Sequence, residues 1–357
     1  MNPAELEQVI DKVSSAKVPE AKDLEALLSV TEAEQIEMLF SAADRIRRRF
    51  VGPGILIRGI IEFSSHCKNR CNYCGLTSDN TELTRYRMSD DRILRYSERI
   101  ARLGIRTIVL QCGEDPQLSA EELADTITRI KSRFDVAITL SCGERPRADY
   151  AIWKQAGADR YLLKIETTDR DLYQKLHPQM RFENRLKCLE ELKNLAYQVG
   201  SGNIVGLPGQ SVRSLAEDII FFKRAGLDMI GLGPFIPHPK TSLGKARPGS
   251  VDMTLKVLAL ARLVTKRTHM PASTALAVLG GDHGTDTALR AGANVVMPNF
   301  TGGTFKKKYE IYPAKAEPAP DPGEYLVWLA GQARRMDRFV DYSRGDCVED
   351  KSLEKVT

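Results

Sequence analysis

The sequence predicts an α/β protein whose main unit is a (β/α)8 barrel, preceded by a helical extension. Eight short apolar runs typical of strands recur between residues 55 and 297, and amphipathic segments typical of helices separate them. Eight strand–helix units over about 250 residues is the usual size of such a barrel. With 357 residues, of which 42% are hydrophobic, the chain is long enough to bury this core.

Residues 1–50 are predicted to form the helical extension. Leu24 and Leu27 belong to an apolar group with helical spacing, and similar spacing continues through the following residues. The basic run at 45–49 is interpreted as a solvated helix face. The sequence Gly-Pro-Gly at 52–54 is expected to end the helical region.

The barrel is predicted to span residues 51–315. Ser89 and Ser119 precede two of its helices and are expected to cap them. In such a barrel the active site lies at the carboxyl ends of the strands. Strands are expected at residues 55–63, 107–111, 136–140, 161–165, 200–205, 229–232, 271–275 and 294–297. Helices are expected between them, for example at residues 91–103, 120–134, 181–196, 212–225 and 254–268.

Residues 316–357 are predicted to form a separate C-terminal part. The Pro-rich stretch at 316–323 is typical of an extended linker. Residues 325–339 have an amphipathic pattern and are expected to form a helix that docks on the barrel. The charged residues 349–357 are expected to be disordered.

Charge and hydropathy exclude several functional classes. The formal net charge of +5 is small for this length, and no Lys/Arg stripe interleaved with aromatic residues indicates a nucleic-acid partner. No apolar run is long enough to span a membrane, and the acidic N-terminus is neither a signal nor a typical transit peptide. Seven cysteines without regular pairing favour a reducing compartment. We therefore expect a cytoplasmic protein.

The most informative motif is a group of three cysteines that follows the first predicted strand, namely Cys67, Cys71 and Cys74. Three thiolates in one loop can bind three irons of a cubane cluster and leave the fourth iron open to another ligand. That iron can bind the amino and carboxylate groups of S-adenosylmethionine (SAM). An electron passed into the sulfonium then releases a 5′-deoxyadenosyl radical.

Two other interpretations of the cysteines are less favoured. Structural zinc usually takes four ligands, and His66 beside Cys67 is a poor fourth because adjacent residues rarely both reach one ion. A disulfide framework is not expected in a long chain with few cysteines. The sequence leaves the roles of Cys112 and Cys142 open.

Polar residues at the ends of the second and third predicted strands are candidate ligand groups. Gln111 and Glu114 flank a glycine, and the acid could accept bonds from an ammonium group. Thr139 and Ser141 alternate with apolar residues and should point into the barrel, where polar groups usually meet a ligand or water. Each of these residues could instead serve an ordinary turn or a bond within the core.

Charged residues follow the fourth and fifth predicted strands. Lys164 and Glu166 share one face, which indicates either a buried salt bridge or a carboxylate that accepts bonds from a ribose diol. Arg185 could bind a carboxylate with its planar fork, or it could lie on a helix surface. Glycines around Ile204 could admit a flat adenine ring or allow a sharp turn.

Taken together, these motifs resemble the radical SAM superfamily. Cys67, Cys71, Tyr73 and Cys74 match its C-x3-C-x-aromatic-C signature. The similarity runs from about residue 50 to 315. Within the superfamily the chain looks like the radical SAM maturases of FeFe-hydrogenase, and more distantly like biotin synthase and methylornithine synthase. Longer strings carry this likeness, at residues 58–64, 73–76, 84–88, 109–116, 157–163, 182–186, 205–210 and 233–239.

The resemblance implies a TIM-type barrel of the radical SAM kind and a role for each matching residue. The three cysteines would hold one 4Fe-4S cluster. SAM would be bound by Tyr73, Glu114, Ser141, Glu166, Arg185 and Ile204, with Glu114 at its amino group, Glu166 at its ribose, Arg185 at its carboxylate and Ile204 near its adenine. The substrate would be bound by Gln111, Thr139, Lys164, Ser273, Thr274, Met297, Tyr309 and Tyr312.

The resemblance also implies a reaction and partners. The deoxyadenosyl radical would attack a sulfur-containing substrate, a cysteine-bound iron carbonyl–cyanide synthon supplied by a partner hydrogenase maturase. Reduced flavodoxin or ferredoxin would donate electrons, and the chain would act as a monomer without nucleic acid or membrane. Two alternatives stay open: a paralogue that acts on another small molecule, as an amino-acid mutase or in sulfur chemistry, and a non-catalytic iron–sulfur scaffold.

Two positions depart from the family pattern. Some members carry a second, C-terminal cysteine triplet for an auxiliary cluster, whereas the tail here has only Cys347, so a single cluster is expected. Lys164 stands where we expect arginine. Lysine keeps the charge but loses the planar fork, so anion binding at this position should be looser.

Overall fold

The computed structural model describes residues 1–313 and 321–347. Most of the predicted linker and the predicted disordered tail therefore lie outside the described residues. The strands are β1 Gly54–Ile57, β2 Gly59–Ser64, β3 Thr107–Cys112, β4 Ala137–Ser141, β5 Arg160–Leu162, β6 Gln198–Ser201, β7 Ile204–Val205, β8 Met229–Ile230, β9 Gly233–Pro234, β10 Val295–Val296 and β11 Phe339–Asp341. The helices are α1 Pro3–Ser15, α2 Ala21–Leu28, α3 Ala33–Phe50, α4 Asp90–Arg102, α5 Ala120–Arg133, α6 Arg147–Gln155, α7 Arg170–Leu176, α8 Phe182–Asn194, α9 Val212–Arg224, α10 Val251–Thr265, α11 Thr274–Gly280, α12 Gly284–Arg290, α13 Gly303–Lys306 and α14 Pro322–Arg335.

The predicted barrel is confirmed, and its strands are all parallel. Six strands pair in the order β2-β3-β4-β5-β6-β8, and β1 pairs with β10. Two backbone segments close the ring. His269 N donates to Asp228 O (3.0 Å), and Asn294 N donates to Met270 O (2.9 Å). Leu56 N then donates to Asn294 O at 2.9 Å, which returns the ladder to the first strand.

β1 and β2 follow each other along one edge of the ring, and their side chains alternate between the two faces of the barrel wall. Because side chains alternate along a strand, Arg58 and Glu62 share the interior face. Gly59 lies on the other face against α4, where an added Cβ would come within 2.8 Å of Ile100 Cδ1. The odd-numbered apolar residues on this face pack under the surrounding helices, and the even-numbered residues line the barrel.

The N-terminal extension packs on α9 and α10. Leu24 and Leu27 are fully buried, as their spacing predicts. Lys256 of α10 is also buried, and its ammonium donates to Leu28 O (2.5 Å) and Val30 O (2.9 Å). These bonds satisfy carbonyls that the end of α2 leaves without helical partners, so the extension is fixed to the barrel by both packing and a capping cation.

The basic run at 45–49 is not solvated throughout. Arg47 is 1% exposed and donates to Asp44 Oδ1 and to Gly52 O at 2.6 Å. The interpretation as a solvated face is therefore wrong at this position. Charge alone could not show it, because the carbonyl that draws Arg47 inward belongs to the turn after the helix.

The predicted seventh strand at 271–275 is wrong in its second half. Backbone pairing in this segment lies at 269–271, with bridges from Met229 to His269 and from Pro271 to Val295. Ser273 instead caps α11, and its hydroxyl accepts from Leu276 N at 3.4 Å. A serine before a helix competes for the backbone N–H groups that a strand would use.

The C-terminal helix was predicted, but the strand after it was not. β11 follows α14 and pairs parallel to β1. The residues after β11 then close the amino end of the barrel. Arg160, fully buried, donates to Arg344 O (2.7 Å) and Asp346 Oδ1 (2.5 Å), and Arg58 approaches Gly345 O at 3.5 Å. Among the described helices, none is long and apolar enough to cross a membrane.

Replacing Asp346 by asparagine tests this closure. The change removes the charge that faces the buried Arg160 guanidinium, so we expect a loss of about 1–3 kcal/mol in the free energy of unfolding. Urea denaturation of the apo-protein measures it. Glu98→Gln is the control, because its ion pair with Arg102 joins side chains of α4 that are 43% and 77% exposed. The control should change stability by less than about 0.5 kcal/mol. Equal effects of the two changes would contradict the assignment.

Candidate active site

The three cysteines lie in one loop at the carboxyl end of the barrel, between β2 and α4. Each is half-buried, and none of the described cysteines forms a disulfide. Burial raises the pKa of the Cys67 thiol, and burial with the charges of Cys74 and Cys67 raises that of Cys71 well above its usual range. The Cys71 thiol therefore lies close to both Cys67 and Cys74. A bound metal reverses this effect, because a coordinating thiol is deprotonated.

One arginine organises the cysteine loop. Arg85 donates to the carbonyl oxygens of Ser65 (2.7 Å), Leu76 (3.1 Å) and Thr77 (2.8 Å). A guanidinium carries five donors in a fixed plane, so one side chain can satisfy carbonyls from both ends of the loop. The cysteine loop is irregular, so its carbonyls lack the hydrogen bonds that neighbouring strands would provide. The bonds from Arg85 satisfy these carbonyls and draw the two ends of the loop together.

A tyrosine–histidine contact fixes the loop against α7. Tyr73 OH lies 3.0 Å from His177 Nε2, and His177 Nδ1 lies 3.0 Å from Tyr173 O. Burial and the nearby Arg185 lower the pKa of His177 to about 3, so the imidazole is neutral. The carbonyl requires Nδ1 to carry the proton, and Nε2 therefore accepts from the tyrosine. Asn72 N also donates to Leu176 O at 2.9 Å.

Two glycines let backbone lie directly against the cysteine loop. A Cβ added to Gly113 would come within 2.8 Å of Cys67 Cβ, and one added to Gly75 would come within 2.5 Å of His238 Nε2. Both positions follow a cysteine in the sequence. A larger residue at either would push the loop away from the strand ends or from the segment that covers it.

The donor set fits an iron–sulfur cluster better than a single ion. Within residues 1–313 and 321–347, no three His, Cys, Asp or Glu side chains converge as one metal ion requires. A cubane cluster has a wider arrangement, because each thiolate binds a different iron. Three thiols on one ordered loop meet that requirement.

The structure places Glu114 beside the cysteine loop. Its Oε2 accepts from Asn69 Nδ2 (3.0 Å) and from Glu144 N (2.9 Å), and its Oε1 lies 3.1 Å from Lys68 Nζ. Gly143 makes this contact possible, since a Cβ there would come within 2.8 Å of Glu114 Cγ. The carboxylate thus links the cysteine loop to the loop after β4 and is held at the mouth of the barrel.

Lys164 and Glu166 share one face, as their spacing predicted, and Arg185 lies beside them. Lys164 Nζ lies 2.8 Å from Glu166 Oε2, and Arg185 donates to Lys164 O. Arg185 Nε also donates to Glu144 Oε1 at 2.6 Å. Burial opposes the charge of Arg185, but the neighbouring Tyr173 and Glu144 raise the pKa of its guanidinium. Arg185 is buried, so the alternative of a helix-surface arginine is wrong.

Glu166 has a backbone conformation that L-residues rarely adopt, with φ of 65°. Its N donates to Gly202 O (3.0 Å), and its carbonyl accepts from Ile204 N (3.1 Å). Gly202 allows this approach because its φ is 155° and a Cβ there would clash with the backbone of Gly231. Ile204 and Glu166 are therefore held side by side, on the loops after β6 and β5.

The remaining predicted residues fall into two groups. The first group lies on or directly after strands, at the interior face, and consists of Gln111, Thr139, Ser141 and Met297. Gln111 pairs with Ser141, and Thr139 Oγ1 is buried without a hydrogen-bond partner. The second group comes from segments that cover the barrel mouth: Ser273 and Thr274 begin α11, and Tyr309 and Tyr312 follow α13. Burial raises the pKa of both tyrosines, so both phenols keep their protons.

The sequence analysis missed two acidic residues of this region. Glu62 is fully buried on the interior face of β2, where its Oε2 accepts from Asn299 Nδ2 at 2.9 Å. A single acid inside an otherwise apolar strand was a signal that could have found it. Glu144 contacts both Glu114 and Arg185. It had no distinctive sequence signal, because its partners come from other loops.

A groove of about 440 Å³ opens beside the cysteine loop. Its walls combine both signs of charge, which suits a zwitterionic ligand. The side chains that line it include Lys68, Asn69, Glu114, Glu144, Arg181 and Asn184.

Comparison with known proteins agrees with this geometry. A family model described as the Radical SAM superfamily matches residues 61–222. The chain is 46% identical over 292 residues to the FeFe hydrogenase maturase subunit HydE of Thermotoga maritima, covering 82% of this chain and 83% of that protein. It is 30% identical to 3-methylornithine synthase of Methanosarcina acetivorans, covering 77% of each chain.

Solved structures show the same architecture. Methylornithine synthase (PylB) superposes with a TM-score of 0.79 at 25% identity, covering 93% of this chain and 97% of that chain. The maturase HydG superposes with a TM-score of 0.79 at 21% identity, covering 96% of this chain and 80% of that chain, which bears on the fold alone.

The chain is therefore a radical SAM enzyme, and the resemblance in its motifs is confirmed. Membership of this superfamily implies a 4Fe-4S cluster and SAM. Within the superfamily, the chain belongs to the family of the hydrogenase maturase HydE.

The buried His177 predicts a dependence of stability on pH. The folded chain holds this imidazole neutral with a pKa of about 3, whereas the unfolded chain binds a proton below the ordinary value of 6.5. The stability from this residue is complete above pH 6.5 and is lost as the pH falls toward 3. Urea midpoints of the apo-protein between pH 7.5 and about 5 should fall, and His177→Gln should flatten the fall. His283→Gln, at an exposed histidine, should leave the slope unchanged. Burial also lowers the pKa of His269 to about 3, so part of the slope should remain in His177→Gln. A slope as steep in His177→Gln as in wild type would contradict the assignment.

Proposed function

We propose that this chain acts in maturation of the FeFe-hydrogenase H-cluster, as a radical SAM enzyme on a sulfur-containing substrate. One observation carries the proposal: an ordered loop with three thiols lies over a barrel whose interior face is polar at the same end. The 46% identity to HydE over most of both chains supports the choice of reaction.

We assign Cys67, Cys71 and Cys74 as the ligands of a single 4Fe-4S cluster. These residues would hold the cluster, which would supply the electron for reductive cleavage of the SAM sulfonium to a 5′-deoxyadenosyl radical. The chain's own contribution is to fix the thiols through Arg85 and to exclude water. Tyr73 braces the loop from the side of α7 through its bond to His177. Within the described residues, the other four cysteines belong to no second loop of this kind.

SAM is assigned to the groove and the strand ends beside the loop. Glu114 faces the amino group, and Arg185 faces the carboxylate with a fork suited to bidentate binding. In the structure, Arg185 donates to the Glu144 carboxylate and Glu114 accepts from Glu144 N. Binding of SAM would replace these contacts by contacts to its carboxylate and amino groups. Glu166 offers its carboxylate to the ribose hydroxyls, and Ile204 gives an apolar surface to the adenine. Ser141 completes the set at the end of β4.

The substrate is assigned to the interior of the barrel. Gln111, Thr139 and Lys164 come from adjacent strand ends, Met297 follows β10, and the covering segments add Ser273, Thr274, Tyr309 and Tyr312. Thr139 Oγ1 is a buried group available to a ligand. Lys164 supplies the positive charge that a carboxylate- or cyanide-bearing species requires. A cysteine-bound iron carbonyl–cyanide synthon matches this chemistry.

We further propose that the enzyme works as a cytoplasmic monomer. Reduced flavodoxin or ferredoxin would supply the electron, and a partner hydrogenase maturase would supply the substrate. A reducing compartment suits seven cysteines without disulfides and an oxygen-sensitive cluster.

A second candidate is a paralogue that acts on an amino acid or in sulfur chemistry. The 30% identity to 3-methylornithine synthase and the superposition with its relative PylB favour it as the runner-up. Cell-free maturation of apo-hydrogenase with and without this chain separates the two. Hydrogenase activity that needs this chain supports the maturase, and formation of methylornithine by this chain would support the paralogue.

The cluster assignment predicts the behaviour of a Cys71→Ala variant. We expect wild-type protein, reconstituted anaerobically with iron and sulfide and reduced with dithionite, to show one cubane EPR signal that changes when SAM is added. Cys71→Ala should lose the signal and the release of 5′-deoxyadenosine. Cys347→Ala, at the opposite end of the barrel, is the control and should keep both. A wild-type cluster that ignores SAM would favour a non-catalytic scaffold.

The ribose assignment predicts the effect of Glu166→Gln. The amide keeps the size of the side chain but loses the charged acceptor, which costs about 1.5–3 kcal/mol per hydrogen bond to a charged group. We expect the Kd for SAM to rise by roughly 10- to 100-fold, at unchanged iron content. Glu190→Gln, on the exposed face of α8, should leave the Kd unchanged. Unchanged SAM affinity in Glu166→Gln would contradict the assignment.

A further inference from the structure

A buried carboxylate outside the barrel joins the two loops that carry Glu166 and Ile204. Asp218 lies on α9 and is fully buried. Its Oδ1 accepts from Thr168 N (2.6 Å) and from Thr168 Oγ1 (2.7 Å). Its Oδ2 accepts from Asn203 Nδ2 at 2.7 Å. Thus one side chain makes three short bonds to two different loops.

The two loops that Asp218 joins are those of the assigned ribose and adenine groups. Thr168 is two residues after Glu166, in the loop after β5. Asn203 immediately precedes Ile204, in the loop after β6, and it forms a backbone bridge with Glu166. The carboxylate therefore holds the neighbours of both groups without touching the groove itself.

Glu166 needs such support because its own backbone is strained. A non-glycine residue in the left-handed region, here with φ of 65°, is strained and persists when surrounding contacts fix it. The bonds from Thr168 N and Asn203 Nδ2 act on either side of this residue. Without them, Glu166 can relax to an ordinary conformation and turn its carboxylate elsewhere.

The charge state of Asp218 suits this task. Burial raises its pKa to about 6, while the bonds from Thr168 and Asn203 act in the opposite direction. At neutral pH the group is ionised, and both oxygens act as acceptors, as the three donors require. A neutral amide at this position would place an N–H group against one of the donors.

We propose that Asp218 is a positioning residue for SAM, which holds Glu166 and Ile204 in the geometry that binds the ribose and adenine. The proposal rests on the function proposed above. Asp218 lies on an outer helix, and it affects SAM affinity only through its bonds to Thr168 and Asn203.

A swap of the two polar partners tests the proposal. N203D places two carboxylates together, whereas D218N alone lets the Asn203 amide turn its unpartnered Oδ1 toward the new N–H group. The double variant D218N/N203D restores one donor and one acceptor between these positions. We expect N203D to raise the Kd for SAM at least tenfold and D218N to raise it less, measured anaerobically by titration and by the EPR change on SAM addition. The double variant should return to within about threefold of wild type, because the amide oxygen at 218 still accepts from Thr168.

A half-buried aspartate serves as the control for general destabilisation. Asp228 Oδ2 accepts from Val199 N at 2.7 Å at the amino end of the barrel, away from the assigned SAM groups. D228N should lower the urea midpoint while leaving SAM affinity and the EPR change as in wild type. Iron content should be the same in all four variants.

The outcomes separate this inference from the proposed function. Unchanged SAM affinity in N203D, or a loss in D228N as large as in N203D, would overturn the role of Asp218 alone. Failure of the double variant to recover affinity would also overturn it. Wild-type protein whose cluster does not respond to SAM would overturn the proposed function, and Asp218 would then have no SAM to position.

Discussion

The constraint on which the site depends is the closure of eight parallel strand segments into one ring. Because every strand runs in the same direction, each strand end and each following loop reaches the same mouth. The backbone bonds at 269–271 and 294–296 complete this ring although those segments are barely regular strands. Without closure, the cysteine loop after β2 and Glu166 after β5 would lie on an open sheet and could not face one cavity.

Charged groups at the mouth are arranged in exchangeable pairs. Glu144 bonds to Arg185, its backbone N bonds to Glu114, and Lys164 pairs with Glu166. Buried charges need partners, since an isolated charge in an apolar setting is costly. The amino group and the carboxylate of a zwitterionic ligand can each replace one of these charged partners. The same pairs that stabilise the protein without SAM therefore keep the binding groups charged and oriented.

Features that depend on local sequence pattern could be predicted, whereas features that depend on contacts between distant residues could not. Strand alternation placed Thr139 and Ser141 on the interior face, and the cysteine spacing placed three thiols in one loop. The inward turn of Arg47 could not be predicted, because the helix pattern there is the same for a solvated arginine. Nor could the pairing of β11 with β1, which lie more than 280 residues apart. The substrate remains a matter of family likeness, since polar barrel interiors serve many reactions.

The two ends of the barrel differ in a way that fits radical chemistry. The carboxyl end is lined by loops whose contacts a ligand can exchange. The amino end is sealed by the residues after β11, where Arg160 and Arg58 meet backbone carbonyls of the tail. A reactive radical requires a cavity from which water and other reactants are excluded. Because one end is sealed permanently, only the other mouth has to be closed. The cysteine loop and the segment after α13 cover that mouth, and they are joined by the bond from Gly75 N to Ile311 O. Entry of a ligand and exclusion of water are thus confined to the one end where Cys67, Cys71 and Cys74 lie.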